Sequence, residues 1–150
     1  MTADSKRIMK LFLFLSAVIL LNLSCSKTAT TIVNPTSTAA GTLSCKINNA
    51  SFSPTYITPS YQYIQLMVVG SSGDFLTKID FTAIVSAKVG TYDLKNNANY
   101  TLNKVISPAV YGTLNLTKFD ATLHLVSGTF SYTTKDSTRI TEGVFTDLNY

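Results

Sequence analysis

Lys78-Ile79-Asp80-Phe81-Thr82-Ala83 decides the fold class, because apolar Ile79, Phe81 and Ala83 alternate with polar Lys78, Asp80 and Thr82. Successive side chains of an extended chain point to opposite faces, so this is a strand with one face in a core and one in water. It extends over 75–86. The same reading carries outward along the chain. Strands are predicted over 41–47, 61–69, 90–94, 100–106, 110–118, 123–132 and 138–148, with 50–52 starting a return strand. Asn48-Asn49, Gly70 to Asp74, Asn96-Asn97, Ser107-Pro108 and Lys135-Asp136-Ser137 are turn signals between them. No long stretch after residue 40 holds a helical period. Short strands spaced at roughly 8–12 residues argue an all-β domain. The expected architecture is an antiparallel β-sandwich, with a lipocalin-like β-barrel as the alternative.

Two details refine the pattern. In 123–132, Leu123, Leu125 and Ser127 are expected to face one way and His124 and Val126 the other. Gly128 is read as a bulge, after which Phe130 and Tyr132 face the core. Gly128 and Gly143 each stand two residues before a phenylalanine, Phe130 and Phe145. A glycine there leaves room for a ring that any side chain would block.

The N-terminus reads differently. Lys6-Arg7 and Lys10 precede Leu11 to Leu21, an apolar run broken only by Ser16. Such a run is too short to span a bilayer, which takes about 20 residues. It matches the apolar segment of a signal peptide, about 7–15 residues long. Met9 would serve as the start of such a leader, and residues 1–8 would then precede it. The leader ends in Leu21-Asn22-Leu23-Ser24-Cys25, which resembles a bacterial lipobox: leucine, a small residue, then cysteine. The resemblance implies lipidation at Cys25. Several acyl chains, each worth about 0.8 kcal/mol per buried CH₂, anchor a protein stably. Residues 1–24 are therefore expected to be a lipoprotein signal peptide. Residues 25–40, rich in Thr and Ser, read as a flexible tether, and residues 41–150 as a single all-β domain.

Charge and cysteine usage narrow the function. The formal net charge is +4, but 3 of the 12 basic and 1 of the 8 acidic residues belong to the leader. The remaining charges are scattered singly, without the basic stripe that nucleic acid requires, so no nucleic-acid partner is expected. Of the two cysteines, Cys25 is the candidate for the lipid. Cys45 shares a strand face with Leu43 and Ile47 and reads as a buried structural thiol. His124 is the one histidine and is expected on a solvent-facing strand position. A lone histidine with no cysteine pair cannot fill a zinc site, and no dense Asp/Asn loop suggests calcium, so no metal and no cofactor are expected. Asp74, Asp120 and Asp136 fall in turns, where Asp accepts backbone N–H bonds. Tyr56, Tyr61 and Tyr63, with Pro54 and Pro59, form an aromatic–proline cluster. It is either core and Pro-protected edge strand or a surface for stacking on sugars or peptides.

The C-terminal third carries a resemblance. Gly112-Thr113-Leu114-Asn115-Leu116-Thr117-Lys118-Phe119-Asp120 leads to Val126-Ser127-Gly128-Thr129-Phe130-Ser131-Tyr132, then Ile140-Thr141-Glu142-Gly143-Val144-Phe145. An early segment, Leu43-Ser44-Cys45-Lys46-Ile47-Asn48-Asn49-Ala50-Ser51-Phe52-Ser53-Pro54, belongs to the same pattern. Together they resemble a domain-of-unknown-function family of small Bacteroidetes envelope lipoproteins, across residues 41–150. Asn49 stands where that family usually has Gly. The resemblance implies compartment and fold rather than an activity. Surface-bound lipoproteins of that group often carry acids after the cysteine. Ser26-Lys27-Thr28-Ala29-Thr30 has none, so the outer membrane's periplasmic face is expected rather than the cell surface. Asp136-Ser137-Thr138 resembles the group's O-glycosylation pattern and makes Ser137 a candidate.

The expected function is a lipid-anchored, non-enzymatic binding or structural module of the cell envelope. Its partners would be the membrane, through the lipid, and an unknown protein, glycan or small apolar ligand. A lipocalin-like carrier of a small apolar ligand is the alternative. A hydrolase would need a polar cluster that only the fold could assemble.

Overall fold

Alternating apolar and polar residues pair here into strands throughout. The computed structural model describes residues 41–150. The expected signal peptide, Cys25 and the tether lie outside the described residues. The strands are β1 (Thr42–Ile47), β2 (Ala50–Phe52), β3 (Tyr56–Gln62), β4 (Gln65–Ser71), β5 (Thr77–Ile84), β6 (Gly90–Asp93), β7 (Ala98–Leu102), β8 (Val105–Asp120), β9 (Leu125–Thr134) and β10 (Arg139–Asn149). They pair antiparallel in the order β2-β1-β10-β9-β8-β7-β5-β4-β3, with β6 added along β8. The sheet curls into a half-barrel. The all-β, antiparallel expectation holds.

The 16-residue β8 carries the sheet around its bend. Its first residues, Val105 to Pro108, pair with β7, and the rest pair with β9 and β6. Pro108 sits just before a register shift between Ala109 and Tyr111. Proline lacks an N–H for the ladder and is tolerated beside such a bulge. Ser107-Pro108 was expected to separate two strands; it lies inside one. The break falls instead at Asn103-Lys104, whose φ angles of 50° and 70° make a tight two-residue turn.

The predicted strand 61–69 is likewise two strands. Tyr63 and Ile64, with φ of 49° and 68°, turn the chain between β3 and β4. This register puts Leu66, Val68 and Gly70 into the core, with Pro59 opposite Val68 on the edge strand. Gly70 and Ser71 therefore belong to β4 rather than to the following turn. Leu43 and Pro54 crowd the space a side chain on Gly70 would take. Asn48-Asn49 turns as expected, with φ of 48° and 70°.

The face assignment at 123–127 is corrected. Asp120 Oδ1 accepts from the Thr122 and Leu123 amides at 3.0 and 2.9 Å, holding 121–124 in a turn. His124 is exposed with φ 56°, off the strand. Alternation starts at Leu125, so Val126, Gly128, Phe130 and Tyr132 face inward and Leu123 is exposed. Gly128 is no bulge. The extra residues fall on its neighbours, between Leu116 and Lys118 and between Phe145 and Leu148. The room it leaves is used as expected: Gly128 pairs with Phe145, and Gly143 with Phe130. An added Cβ on either glycine would stand 2.7 Å from the partner's ring. Phe81, from the other half of the sheet, meets Phe130 at 4.9 Å and Phe145 at 5.8 Å between centroids. These rings, with Leu66, Ile79, Leu114, Leu116 and Ile140, fill the interior.

Candidate functional site

The residues that point away from this core make the most site-like feature. On β8 the inward set is Leu114 and Leu116, so Thr113 and Asn115 face out. On β9 the outward set includes Thr129, Ser131 and Thr133, and on β10 it includes Val144. Pairing aligns them into rows. Thr91, Asn115, Thr129, Val144 and Ser44 run side by side across β6, β8, β9, β10 and β1. Asp93, Thr113 and Ser131 form the next row.

A bulge shapes this face. Between Ile140 and Gly143 the register shifts, and Glu142 adopts a left-handed φ of 50°. A bulge bends and twists its strand. The result is an open groove of about 440 Å³, lined by Thr113, Asn115, Thr129, Ser131, Glu142 and Val144. Glu142, in this lining, makes an exposed ion pair with Lys46 at 2.8 Å, a contact worth little to stability. A second recess of about 200 Å³ continues from Ser131 towards Thr133, Arg139 and Tyr111. Tyr111 is 61% exposed.

The groove therefore offers hydroxyl and amide groups and the Glu142 carboxylate over a mostly apolar lining, and the recess adds one exposed aromatic ring and an arginine. These can hydrogen-bond and stack on a polar ligand. Among the described residues, no three His, Cys, Asp or Glu side chains gather to hold a metal ion.

The three tyrosines read as one surface separate. Tyr56 is exposed and stacks on Phe75 at 4.8 Å. Tyr63 stands free at the β3–β4 turn. Tyr61 turns towards the core and packs against Phe119 at 5.0 Å and Tyr150 at 5.4 Å. The edge-strand reading of this segment is the one β3 follows. Ser137 is exposed in the turn before β10, with φ 68°. Its neighbour Asp136 accepts a bond from the Thr134 hydroxyl, which lowers its pKa to about 2. Cys45 is a buried free thiol, and burial pushes its pKa up to about 12, far from a nucleophile's range. His124 meets Tyr150 edge-on at 5.5 Å.

Sequence reasoning missed Tyr111, Asn115, Thr129, Ser131 and Arg139. Arg139 apart, their signal was the outward half of each alternation, which is Thr, Ser, Asn or Tyr along 111–117 and 129–133. What was absent was the strand order that makes Asn115 and Thr129 neighbours.

No curated protein and no solved structure matches this chain. A family model described as a domain of unknown function, DUF6252, matches residues 39–149 and covers all ten strands. The chain belongs to the DUF6252 family.

Proposed function

We propose that this chain is a non-enzymatic binding module of the bacterial cell envelope, which holds a glycan across the outer face of β8, β9 and β10. The groove carries this reading: its rows of Thr, Ser and Asn flank Glu142, and the adjoining recess extends them to Tyr111 and Arg139. Aligned hydroxyls and amides suit a polyhydroxylated chain, and an exposed tyrosine offers a stacking face. The leader and Cys25 support lipid anchorage, of the kind the Bacteroidetes resemblance implies, on the periplasmic side of the outer membrane.

The filled interior favours this reading over the carrier. Phe81 packed on Phe130 and Phe145 supports taking the curled sheet as two packed halves, a sandwich, rather than a ligand-holding barrel.

The test is a glycan array with the lipid-free mature chain, followed by titration calorimetry on any hit. Tyr111→Ala and Asn115→Ala remove exposed side chains and leave the core untouched. Each should weaken binding about threefold to tenfold, the range a lost stacking or hydrogen-bond contact gives. An array without a hit, or a hit that neither variant weakens, would overturn the reading.

A further inference from the structure

Strand register places five chain segments at one end of the half-barrel. Thr42 opens β1 opposite Thr146, so Gly41 lies where β10 nears its end. Gln62 and Gln65 flank the Tyr63-Ile64 turn, and Gln65 pairs with Ile84, the last residue of β5. The Ile64 carbonyl accepts from the Val85 amide at 2.9 Å, joining that turn to the loop that ends at Val89. Tyr61, at the foot of the same turn, packs on Phe119 and Tyr150. The Tyr150 amide in turn donates to the His124 carbonyl, at the 121–124 turn.

This end presents apolar side chains to water. Tyr63 is 93% exposed, Ile84 61%, Leu123 59% and Val89 58%. The Tyr63-Ile64 turn departs from the residue preference of its kind. Tight turns with two left-handed residues favour Asn, Asp and Gly. Asn48-Asn49 and Asn103-Lys104 open with asparagine, whereas the other two such pairs, Tyr63-Ile64 and Ser86-Ala87, both at this end, carry none of these residues. A β-branched residue at φ 68° is strained. An exposed pair that gains nothing from the core and costs backbone strain points to a use outside the fold.

The chain leading to this end says what covers it. Residues 26–40 join Cys25 to Gly41. If flexible, a chain of that length would have a root-mean-square span of about 20 Å, short of the roughly 35 Å length of the 11-residue β10. The end bearing Gly41 is the one a lipid on Cys25 would hold nearest the bilayer. Tyrosine is favoured where water meets lipid, with apolar neighbours just below.

We propose that Tyr63-Ile64, with Ile84, Val89 and Leu123, is a membrane-contacting tip that seats in the interface of the bilayer holding the anchor. This rests on lipidation at Cys25. The other end also exposes apolar residues, Val105 among them, and so provides a control matched in hydrophobicity.

The chain has no tryptophan, so Tyr63→Trp and Val105→Trp each create a single fluorophore. The full lipidated chain is reconstituted in phosphatidylethanolamine–phosphatidylglycerol vesicles containing brominated lipid, and its intact mass is measured. The expected result is acyl mass on Cys25, a quenched and blue-shifted emission for Tyr63→Trp, and a solvent-like emission for Val105→Trp. Vesicle-bound, acylated protein in which Tyr63→Trp is not quenched, or both variants are quenched equally, overturns the tip and leaves the anchor standing. A chain without acyl mass overturns the anchorage and the tip with it.

Discussion

Substituting Gly128 by alanine should destabilise the domain, and the structure sets how far. A Cβ at this position would stand 2.6 Å from the Asn115 carbonyl oxygen and 2.7 Å from Cζ of Phe145. The first is backbone in the centre of the sheet. The second belongs to a ring 1% exposed, held between two strands and Phe81. Neither can yield without moving its neighbours. Overpacking of this kind costs about 1–3 kcal/mol. Restricting the unfolded chain offsets about 0.4–1 kcal/mol of that. The net is a loss of about 1–2 kcal/mol, or about 4–8 °C in melting temperature for a domain of this size. Thermal unfolding followed by circular dichroism measures it. Phe145→Leu, made in the same background, should relieve part of the clash. The double variant should then lose less than the two single losses combined, by at least about 0.5 kcal/mol. A Gly128→Ala variant that melts at or above the parent would refute the argument. Strict additivity in the double variant would refute the ring's part in it.

Three further outcomes are expected. Replacing Tyr63-Ile64 with Asn-Gly relieves the left-handed strain, so the soluble domain should gain about 1 kcal/mol in urea unfolding. Thr101 Oγ1 is buried without a hydrogen-bond partner, so Thr101→Val should raise stability by about 1 kcal/mol in the same assay. Asp136, whose carboxyl is held down to about 2 chiefly by the Thr134 hydroxyl, contributes stability that is present above its ordinary pKa of 3.8. That contribution is lost as pH falls from about 4 towards 2. Asp136→Asn should flatten the acid limb of a melting-temperature profile, and superimposable profiles would count against it.

Local chemistry was legible in the sequence where it acts over a few residues. Ile79, Phe81 and Ala83 declared their face by alternation, Asn48-Asn49 declared a turn, and Gly128 and Gly143 declared room for rings. Tyr63-Ile64 gave no signal, because nothing in those side chains favours a turn; the pairing of Gln62 with Gln65 and the burial of Leu66 and Val68 impose it. Pro108 misled for the opposite reason. A residue that usually ends a strand is accommodated where β8 bends from one half of the sheet into the other. The groove was out of reach for a third reason. Its walls come from three strands, and Asn115 is beside Thr129 and Thr129 beside Val144 only once the sheet order is known.

The pairing of β1 with β10 constrains the order in which this molecule can be made. The two strands stand nearly a hundred residues apart in sequence, as the Lys46–Glu142 contact shows with a separation of 96. A chain emerging N-terminus first offers β1 only the three-residue β2 as neighbour until Arg139–Asn149 is free. Until then β1 lacks its main neighbour, and Phe130 and Phe145 cannot interlock with each other's glycines. The β1 edge of the sheet closes only once β10 has been made. Closing β1 onto β10 is thus a late event, the sealing of one edge of a sheet whose other neighbours pair locally.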